Sequence, residues 1–239
     1  MSNDYFRFKQ FTVYQGDCAM KVGTDGVLLG AWAALRSEGN AGTPKILDVG
    51  TGTGVIALML AQRSPEAVID AIEIDGQAVR QARENFERSP WKGRLNVYET
   101  SFQQFVPNVK YDVIVSNPPY FIDSLKNENI SRMVARHTEL LPYNDLIDGV
   151  LRLLDERGVF SAIFPYKEAN LFVVEAALKG LYCVRRMDVK GVSSKPVKRV
   201  LLQMEKKKRE PLVEELVIEE GGRHCYSKKY KALTEDFYL

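Results

Sequence analysis

The chain has 239 residues, of which 45% are hydrophobic, and this is enough to bury one sizeable core. Its first residues contain no basic start followed by an apolar run, and no apolar stretch reaches the length of a bilayer span, so we expect neither a signal peptide nor a transmembrane helix. Three cysteines without a Cys-x-x-Cys spacing and only two histidines argue against disulfides and a metal site, and they predict a cytoplasmic protein.

The net charge of +2 conceals an uneven distribution. Residues 179–239 carry 15 Lys and Arg against nine Asp and Glu, whereas residues 1–178 carry 18 against 22. The basic C-terminal end predicts either a polyanionic partner or a solvated surface without a partner, and charge by itself does not decide between them.

The first 44 residues form an extension before the main domain. The alternating apolar residues, a turn-like segment at 15–17 and a return strand at 18–22 predict a β-hairpin; the apolar residues are Phe6, Phe8, Phe11 and Val13. A helix is predicted over 25–35, with Thr24 or Asp25 as its cap, and residues 37–44 resemble a linker.

From residue 45 onward, strand and helix patterns alternate. The predicted strands are 46–49, 68–74, 95–98, 113–115, 159–164, 181–189 and 197–204, and the predicted helices are 54–63, 75–88, 143–154 and 167–178. This pattern predicts one α/β domain over 1–239, with the core at 45–239. We expect a mostly parallel seven-stranded sheet with an antiparallel C-terminal hairpin and helices on both faces. The charged residues 206–210 are interpreted as a solvated strand end.

A glycine-rich turn follows the first core strand, in the order Asp48-Val49-Gly50-Thr51-Gly52-Thr53-Gly54. A dinucleotide-binding loop would need a glycine where Val55 stands, and no Lys-Ser/Thr pair follows as in a P-loop. Asp48 favours a cationic ligand, and Glu73 at the end of the next strand is placed to accept the hydroxyls of a ribose. For the loop considered alone, an ordinary tight turn is the alternative. Asp75 is predicted to cap the following helix.

A further strand ends in Asn117-Pro118-Pro119-Tyr120. The prolines restrict the backbone, so that the Asn117 side-chain oxygen and the Pro118 carbonyl point in fixed directions. An adenine amine or a glutamine amide is a poor nucleophile because its lone pair is delocalised, and two acceptors on its N–H groups favour a pyramidal nitrogen with its lone pair free to attack a methyl group. Tyr120 is suited to stack on a flipped base. The alternative is a turn that only ends the strand.

Taken together, these motifs resemble those of class I methyltransferases that modify amino groups. Residues 8–11, 20–32, 135–137 and 236–239 resemble the bacterial tRNA (adenine-N6) methyltransferase family, so the match extends over essentially the whole chain. That family acts on adenine 37 of a valine tRNA, beside the anticodon. The resemblance implies a Rossmann-like fold, S-adenosylmethionine as the cofactor, tRNA as the partner, and no metal.

The resemblance also implies roles for single residues. The expected cofactor-binding residues are Gly23, Thr24, Asp25, Asp48, Gly50, Gly52, Glu73, Ser101, Phe102 and Asn117. Ser101 stands where such enzymes usually carry an Asp, and Phe102 is expected either on the adenine ring or in the core. The expected substrate-binding residues come from their chemistry, position and charge and not from the resemblance; they are Tyr120, Arg132, Arg136, His137, Lys195, Lys198 and Arg199, the last three in a basic stretch at 185–199. For His137 a structural role is the alternative.

Two other functions remain open at this point. A protein glutamine-amide methyltransferase uses the same Asn-Pro-Pro-Tyr chemistry, but it typically carries a helical N-terminal domain for its substrate. A non-catalytic RNA-binding module with a vestigial cofactor fold is the other alternative, and the intact glycine loop and Asn117–Tyr120 segment argue against it.

Overall fold

The structure is a computed structural model that describes residues 4–16, 18, 20–35, 42–119 and 141–238. Its strands are β1 (Tyr5–Arg7), β2 (Thr12–Tyr14), β3 (Lys45–Val49), β4 (Val68–Glu73), β5 (Leu95–Glu99), β6 (Tyr111–Ser116), β7 (Leu154–Pro165), β8 (Tyr182–Val192), β9 (Arg199–Glu205) and β10 (Leu212–Glu219). Its helices are α1 (Thr24–Trp32), α2 (Val55–Arg63), α3 (Gly76–Arg88), α4 (Tyr143–Leu153), α5 (Tyr166–Leu178) and α6 (Lys228–Thr234).

Strands β3 to β10 form one sheet in the order β10-β8-β9-β7-β6-β3-β4-β5. All neighbouring pairs are parallel except those of β9, which runs antiparallel to β7 and β8. All six residues of β6 are buried, as expected for a strand covered on both faces. The mostly parallel α/β fold and the antiparallel hairpin are therefore confirmed.

The predicted number of strands was wrong, because the described residues form a sheet of eight strands. The additional strand is β10, which pairs in parallel with β8 at the edge of the sheet. Three glutamates interrupt its apolar pattern, and Leu216 is its one fully buried residue. The strand tolerates two of these acids because Glu214 pairs with Arg185, and Glu215 with Lys190, on β8. That support comes from a neighbouring strand, and so the local pattern does not reveal it.

The N-terminal hairpin exists, but its turn was predicted in the wrong place. β1 and β2 pair antiparallel, and the Phe8 amide donates to the Phe11 carbonyl at 2.8 Å. The two phenyl rings of this turn are buried and stack at 4.6 Å between centroids. Burial of both rings thus fixes the turn at Phe8–Phe11, and none of the described residues between 15 and 22 lies in a strand.

The predicted side-chain cap of α1 was also wrong. The helix begins at Thr24 with Gly23 as its N-cap, and no side chain accepts a capping hydrogen bond. The Asp25 carboxylate instead pairs with Arg199 at the start of β9, with 2.8 Å between Oδ2 and Nε. The Asp75 cap of α3 is confirmed, since its carboxylate accepts the Gln77 amide at 2.8 Å.

Successive residues of the strands pack into two different hydrophobic cores, one on each face of the sheet. Ile46 belongs to the core shared with the hairpin, α1, α2 and α6, whereas Leu47 belongs to the core shared with α4 and α5. None of the helices in the described ranges is long and apolar enough to cross a membrane.

Asn85, on α3, joins the N-terminal hairpin to the glycine loop. Its side-chain oxygen accepts the Tyr14 amide, and its nitrogen donates to the carbonyls of Tyr14 and Thr53, each at 2.8 Å. The side chain is 1% exposed. Three backbone groups of two separate segments therefore depend on one buried amide.

We predict that Asn85→Ala lowers the free energy of unfolding by about 2–4 kcal/mol, because buried backbone groups lose their partners. Urea denaturation followed by circular dichroism measures the change. Glu87→Ala, at an exposed position on the same helix, is the matched control and should change stability by less than about 0.5 kcal/mol. Equal stability of the two variants would show that Asn85 does not hold these segments together.

Candidate active site

Three neighbouring strands end side by side at one edge of the sheet. In the parallel register, Val49 at the end of β3 lies opposite Ile72 of β4 and Ser116 of β6. The Gly50 and Thr51 amides donate to the Ile72 carbonyl at 3.0 and 3.1 Å, and the buried Ser116 hydroxyl donates to the Val49 carbonyl at 3.0 Å. The glycine loop, Glu73 and the Asn117 segment therefore start from a single hydrogen-bonded edge.

The glycine loop adopts a backbone that other residues rarely reach. Gly50, Gly52 and Gly54 have φ of +73°, +54° and +82°. A Cβ at Gly54 would lie 2.5 Å from a ring carbon of Phe86, so the close packing of the loop on α3 requires glycine there. A Cβ at Gly50 or Gly52 would meet no atom within 4 Å, so these two positions leave an open space beside the backbone that suits a closely bound ligand.

The Glu73 carboxylate is held in place by backbone amides. Its Oε2 accepts the Gly52 amide at 2.9 Å, and its Oε1 accepts the amides of Ile74 and Asp75 at 2.8 and 3.1 Å. A carboxylate offers about four acceptor sites, so Oε2 retains the capacity to accept a ligand hydroxyl. The loop and the acid thus orient each other before any ligand arrives.

Asp48 lies behind the loop and not in the wall of the cavity. Burial raises the pKa of this carboxyl to about 7, although a 2.6 Å hydrogen bond from the Thr51 hydroxyl to Oδ2 lowers it. The Ala57 amide also lowers the pKa, while Oδ1 is buried and accepts no hydrogen bond of normal geometry. Asp48 therefore does not line the cavity, and its visible role is to hold the Thr51 hydroxyl.

A cavity of about 800 Å³ opens in front of these strand ends. Of the predicted site residues, it is lined by Gly23, Thr24, Asp25, Gly50, Gly52, Glu73, Ser101, Phe102, Asn117, Pro118, Lys198 and Arg199. It is also lined by residues that the sequence analysis missed, among them Thr51, Ile72, Val189 and Ile218. Ile218 could not be found because its strand, β10, was not predicted. Lys195 is exposed and lies outside the cavity wall.

Ser101 and Phe102 form the side of the cavity after β5. The Ser101 hydroxyl accepts the Gln104 amide at 3.3 Å, and Arg152 donates to the Phe102 and Phe105 carbonyls at 2.8 and 2.7 Å, which fixes the turn. The Phe102 ring is 4% exposed, and a Cβ on Gly149 would lie 2.3 Å from it. Phe102 is thus a core residue, and part of it reaches the cavity.

Asn117 and Pro118 follow β6 directly and lie beside the glycine loop, which follows the neighbouring strand β3. Asn117 is half-buried and Pro118 is buried, and both line the cavity. The other predicted substrate residues in this part of the chain, Tyr120, Arg132, Arg136 and His137, lie outside the described residues.

Ion pairs neutralise much of the predicted basic stretch at 185–199. Arg185 pairs with Glu214, Arg186 with Asp188, Lys190 with Glu215 and Arg199 with Asp25, each at 2.7 or 2.8 Å. The charge of Arg199 is therefore neutralised by Asp25 of α1, where both residues line the cavity. Lys195 and Lys198 are exposed and take part in no ion pair among the described residues.

The described residues also contain no group of three His, Cys, Asp or Glu that could hold a metal.

Comparison with known proteins identifies close relatives. A family model described as methyltransferase small domain matches residues 32–162. A protein of Bacteroides thetaiotaomicron named tRNA1(Val) (adenine(37)-N6)-methyltransferase is 47% identical and covers 100% of this chain and 99% of its own length. A protein of Trichodesmium erythraeum with the same name is 46% identical, with the same coverage.

Solved structures show the same fold at low identity. A predicted O-methyltransferase of Agrobacterium tumefaciens superposes with a TM-score of 0.69 at 17% identity, covering 89% of this chain and 96% of the other. The TYW2 protein of P. horikoshii, solved with MeSAdo, gives a TM-score of 0.58 at 14% identity, covering 85% and 72%.

We predict that Asp48 makes the ligand-free protein less stable as the pH rises. The pKa of Asp48 is about 7 in the folded state and 3.8 as its ordinary value, so the folded state binds this proton more tightly than the unfolded state does. The stability that this bound proton contributes is complete below about pH 4 and is lost as the pH rises to about 7. Relative to the wild type, Asp48→Asn should therefore gain about 1.4 kcal/mol of unfolding free energy per pH unit across this window. Urea denaturation at several pH values measures this gain, and parallel pH profiles would contradict a buried, protonated Asp48.

Proposed function

The chain belongs to the tRNA1(Val) (adenine(37)-N6)-methyltransferase family, and from this membership we propose that it methylates N6 of adenine 37 in a valine tRNA. It is a methyltransferase, and S-adenosylmethionine is its cofactor. We propose that residues 1–239 form one catalytic domain with 1–44 as an extension, and that it works in the cytoplasm, where tRNA is found.

The observation that carries the proposal is the shared cavity. Glu73 and the glycine loop lie on one side of it, and Asn117 and Pro118 lie beside them on the adjacent strand end. The fit to a nucleoside cofactor rests on the open space at Gly50 and Gly52 and on the oriented Glu73 carboxylate. One cavity that holds both a methyl donor and a planar amine allows them to meet at the distance of about 3.5 Å that direct transfer requires.

We assign the cofactor contacts by chemistry. When bound, S-adenosylmethionine supplies a methyl group on a sulfonium, which is a good leaving group. Glu73 accepts the ribose hydroxyls, and the backbone of Gly50 and Gly52 lets the ligand approach closely. Gly23, Thr24 and Asp25 also line the cavity, and Arg199 holds Asp25 in place. Ser101 and Phe102 line the part of the cavity that we propose for the adenine of the cofactor.

The residues beside β6 prepare the target nitrogen. The Asn117 side-chain oxygen and the Pro118 carbonyl accept the two N–H groups of the amine, which favours a pyramidal nitrogen with a directed lone pair. After transfer the nitrogen loses a proton to water, so no strong base is needed. For Tyr120 we propose stacking on the target base, and for Arg132, Arg136 and His137 contacts to the RNA.

An RNA substrate is favoured over a protein substrate by the tRNA named for the full-length relatives and by the basic surface. The described residues before β3 form a hairpin and one helix that pack into the core. Lys195 and Lys198 remain available for phosphates at the sheet edge that carries the cavity. A loop adenine also costs less to flip than a paired one.

The test is methylation of an unmodified valine tRNA transcript with labelled S-adenosylmethionine, followed by nuclease digestion and mass spectrometry. We expect one N6-methyladenosine at position 37. The Asn117→Ala variant should lose at least about 1000-fold in rate, because the amine loses its oriented acceptor. It should still bind the demethylated product, S-adenosylhomocysteine, as tightly as the wild type does.

Two outcomes would contradict the proposal. Methyl on a guanine, a ribose or a protein glutamine would overturn the assigned substrate. Substantial turnover by the Asn117→Ala variant would remove Asn117 from the reaction. Calorimetry with S-adenosylhomocysteine serves as the control that the variant is folded and that its cofactor pocket is intact.

A further inference from the structure

The loop after β10 stands at the catalytic edge of the sheet. β10 runs parallel to β8, and its last residue, Glu219, lies opposite Val192 at the end of β8. The connections that follow these strands, residues 193–198 and 220–227, therefore begin side by side. Ile218, at the end of β10, lines the cavity. The strand that the sequence analysis missed thus brings a new loop to the rim of the site.

This loop has a defined conformation. The Glu220 amide donates to the Cys225 carbonyl at 2.8 Å, and the His224 amide donates to Oε1 of Glu219 at 2.9 Å. Gly221 and Gly222 have positive φ, and His224, at +65°, is the one non-glycine residue with positive φ among those that the structure describes. Backbone conformations of this uncommon kind cluster at functional sites.

The loop, together with Lys228 at the first position of α6, also presents cations that are not paired with acids among the described residues. Arg223 and Lys228 are exposed and take part in no ion pair within the described ranges. Lys195 and Lys198 on the neighbouring connection share this property, whereas Arg185, Arg186, Lys190, Arg199 and Lys229 are paired with acids. We call the four residues Lys195, Lys198, Arg223 and Lys228 the basic rim.

Two acids lie near the basic rim: Glu219, which accepts the His224 amide, and Glu220, which is exposed. The four cations of the rim outnumber these two acids, so the rim keeps a positive charge. An RNA base inserted into the cavity brings its neighbouring phosphates onto the surface around the mouth. Cations without protein partners at such a position match a polyanionic backbone.

We propose that the loop after β10 is a second tRNA-contacting surface, in which Arg223 and Lys228 bind phosphates beside the target nucleotide together with Lys195 and Lys198. The inference deepens the proposed function and rests on it for the identity of the RNA. It assigns a role in substrate binding to residues 220–228, which lie outside both the catalytic segment and the predicted basic stretch at 185–199.

The test compares binding of a valine tRNA transcript to the wild type and to an Arg223→Ala/Lys228→Ala variant, by fluorescence anisotropy between about 50 and 200 mM salt. Two lost phosphate contacts should flatten the plot of log binding constant against log salt by about one to two units. The dissociation constant near 150 mM salt should rise about tenfold. Binding of S-adenosylhomocysteine and kcat at saturating tRNA should stay unchanged.

A matched control removes the same charge from the opposite edge of the sheet. Lys92 precedes β5 and Lys207 follows β9, and both are exposed. Lys92→Ala/Lys207→Ala should leave the salt slope close to that of the wild type. An Arg223→Lys/Lys228→Arg variant, which keeps the charge, should also keep the slope.

The outcomes separate this inference from the proposed function. An unaltered slope in Arg223→Ala/Lys228→Ala, or an equal loss in the Lys92/Lys207 control, would overturn the role of the loop even if the wild type forms N6-methyladenosine. A selective loss of RNA binding in Arg223→Ala/Lys228→Ala would support the loop even if the wild type methylates a different nucleotide. A wild type that does not bind RNA would contradict both.

Discussion

The parallel register of β4, β3 and β6 is the constraint on which the site depends. It places three strand ends side by side, and hydrogen bonds to the Ile72 and Val49 carbonyls tie them together. Each strand end then delivers a different part of the chemistry: the glycine loop after β3, the Glu73 carboxylate at the end of β4, and the Asn117 segment after β6. None of these parts could act alone; backbone pairing sets the positions of the strand ends, and the Ser116 hydroxyl and the Glu73 carboxylate add side-chain hydrogen bonds to it.

Three residues behind the glycine loop hold this edge in place, and two of them, Asp48 and Asn85, are polar side chains that are costly to bury. Asp48 is fully buried behind the glycine loop, where its pKa is raised to about 7, and it holds the Thr51 hydroxyl. Asn85 joins the loop to the N-terminal hairpin through Thr53. Phe86 fills the space beside Gly54. A loop supported in this way loses little entropy when a ligand binds, because it is already ordered.

The sequence predicted those features that are encoded locally. Apolar runs that carry Asp48, Glu73 and Asn117 at or near their C-terminal ends indicated both the strands and the edge where the site lies. Features that depend on distant partners were missed. β10 carries two acids that pair with cations of β8. The side-chain cap expected from Thr24 or Asp25 is absent, and Asp25 instead forms an ion pair with a residue 174 positions away. For the same reason, the charge of the 185–199 stretch overstated the number of cations available to RNA. Two cations of the basic rim, Arg223 and Lys228, follow β10. Because this strand was not predicted, the distribution of charge along the sequence could not place them at the catalytic edge.

The most direct measurement is a crystal structure of the protein with S-adenosylhomocysteine. If the three strand ends build one cofactor and substrate site, both ribose hydroxyls will lie within about 3.2 Å of the Glu73 carboxylate. The sulfur will then point toward the Asn117 side chain and the Pro118 carbonyl, leaving space for a planar amine between them. A ligand whose ribose lies away from Glu73, or whose sulfur faces away from Asn117, would contradict this arrangement of the site.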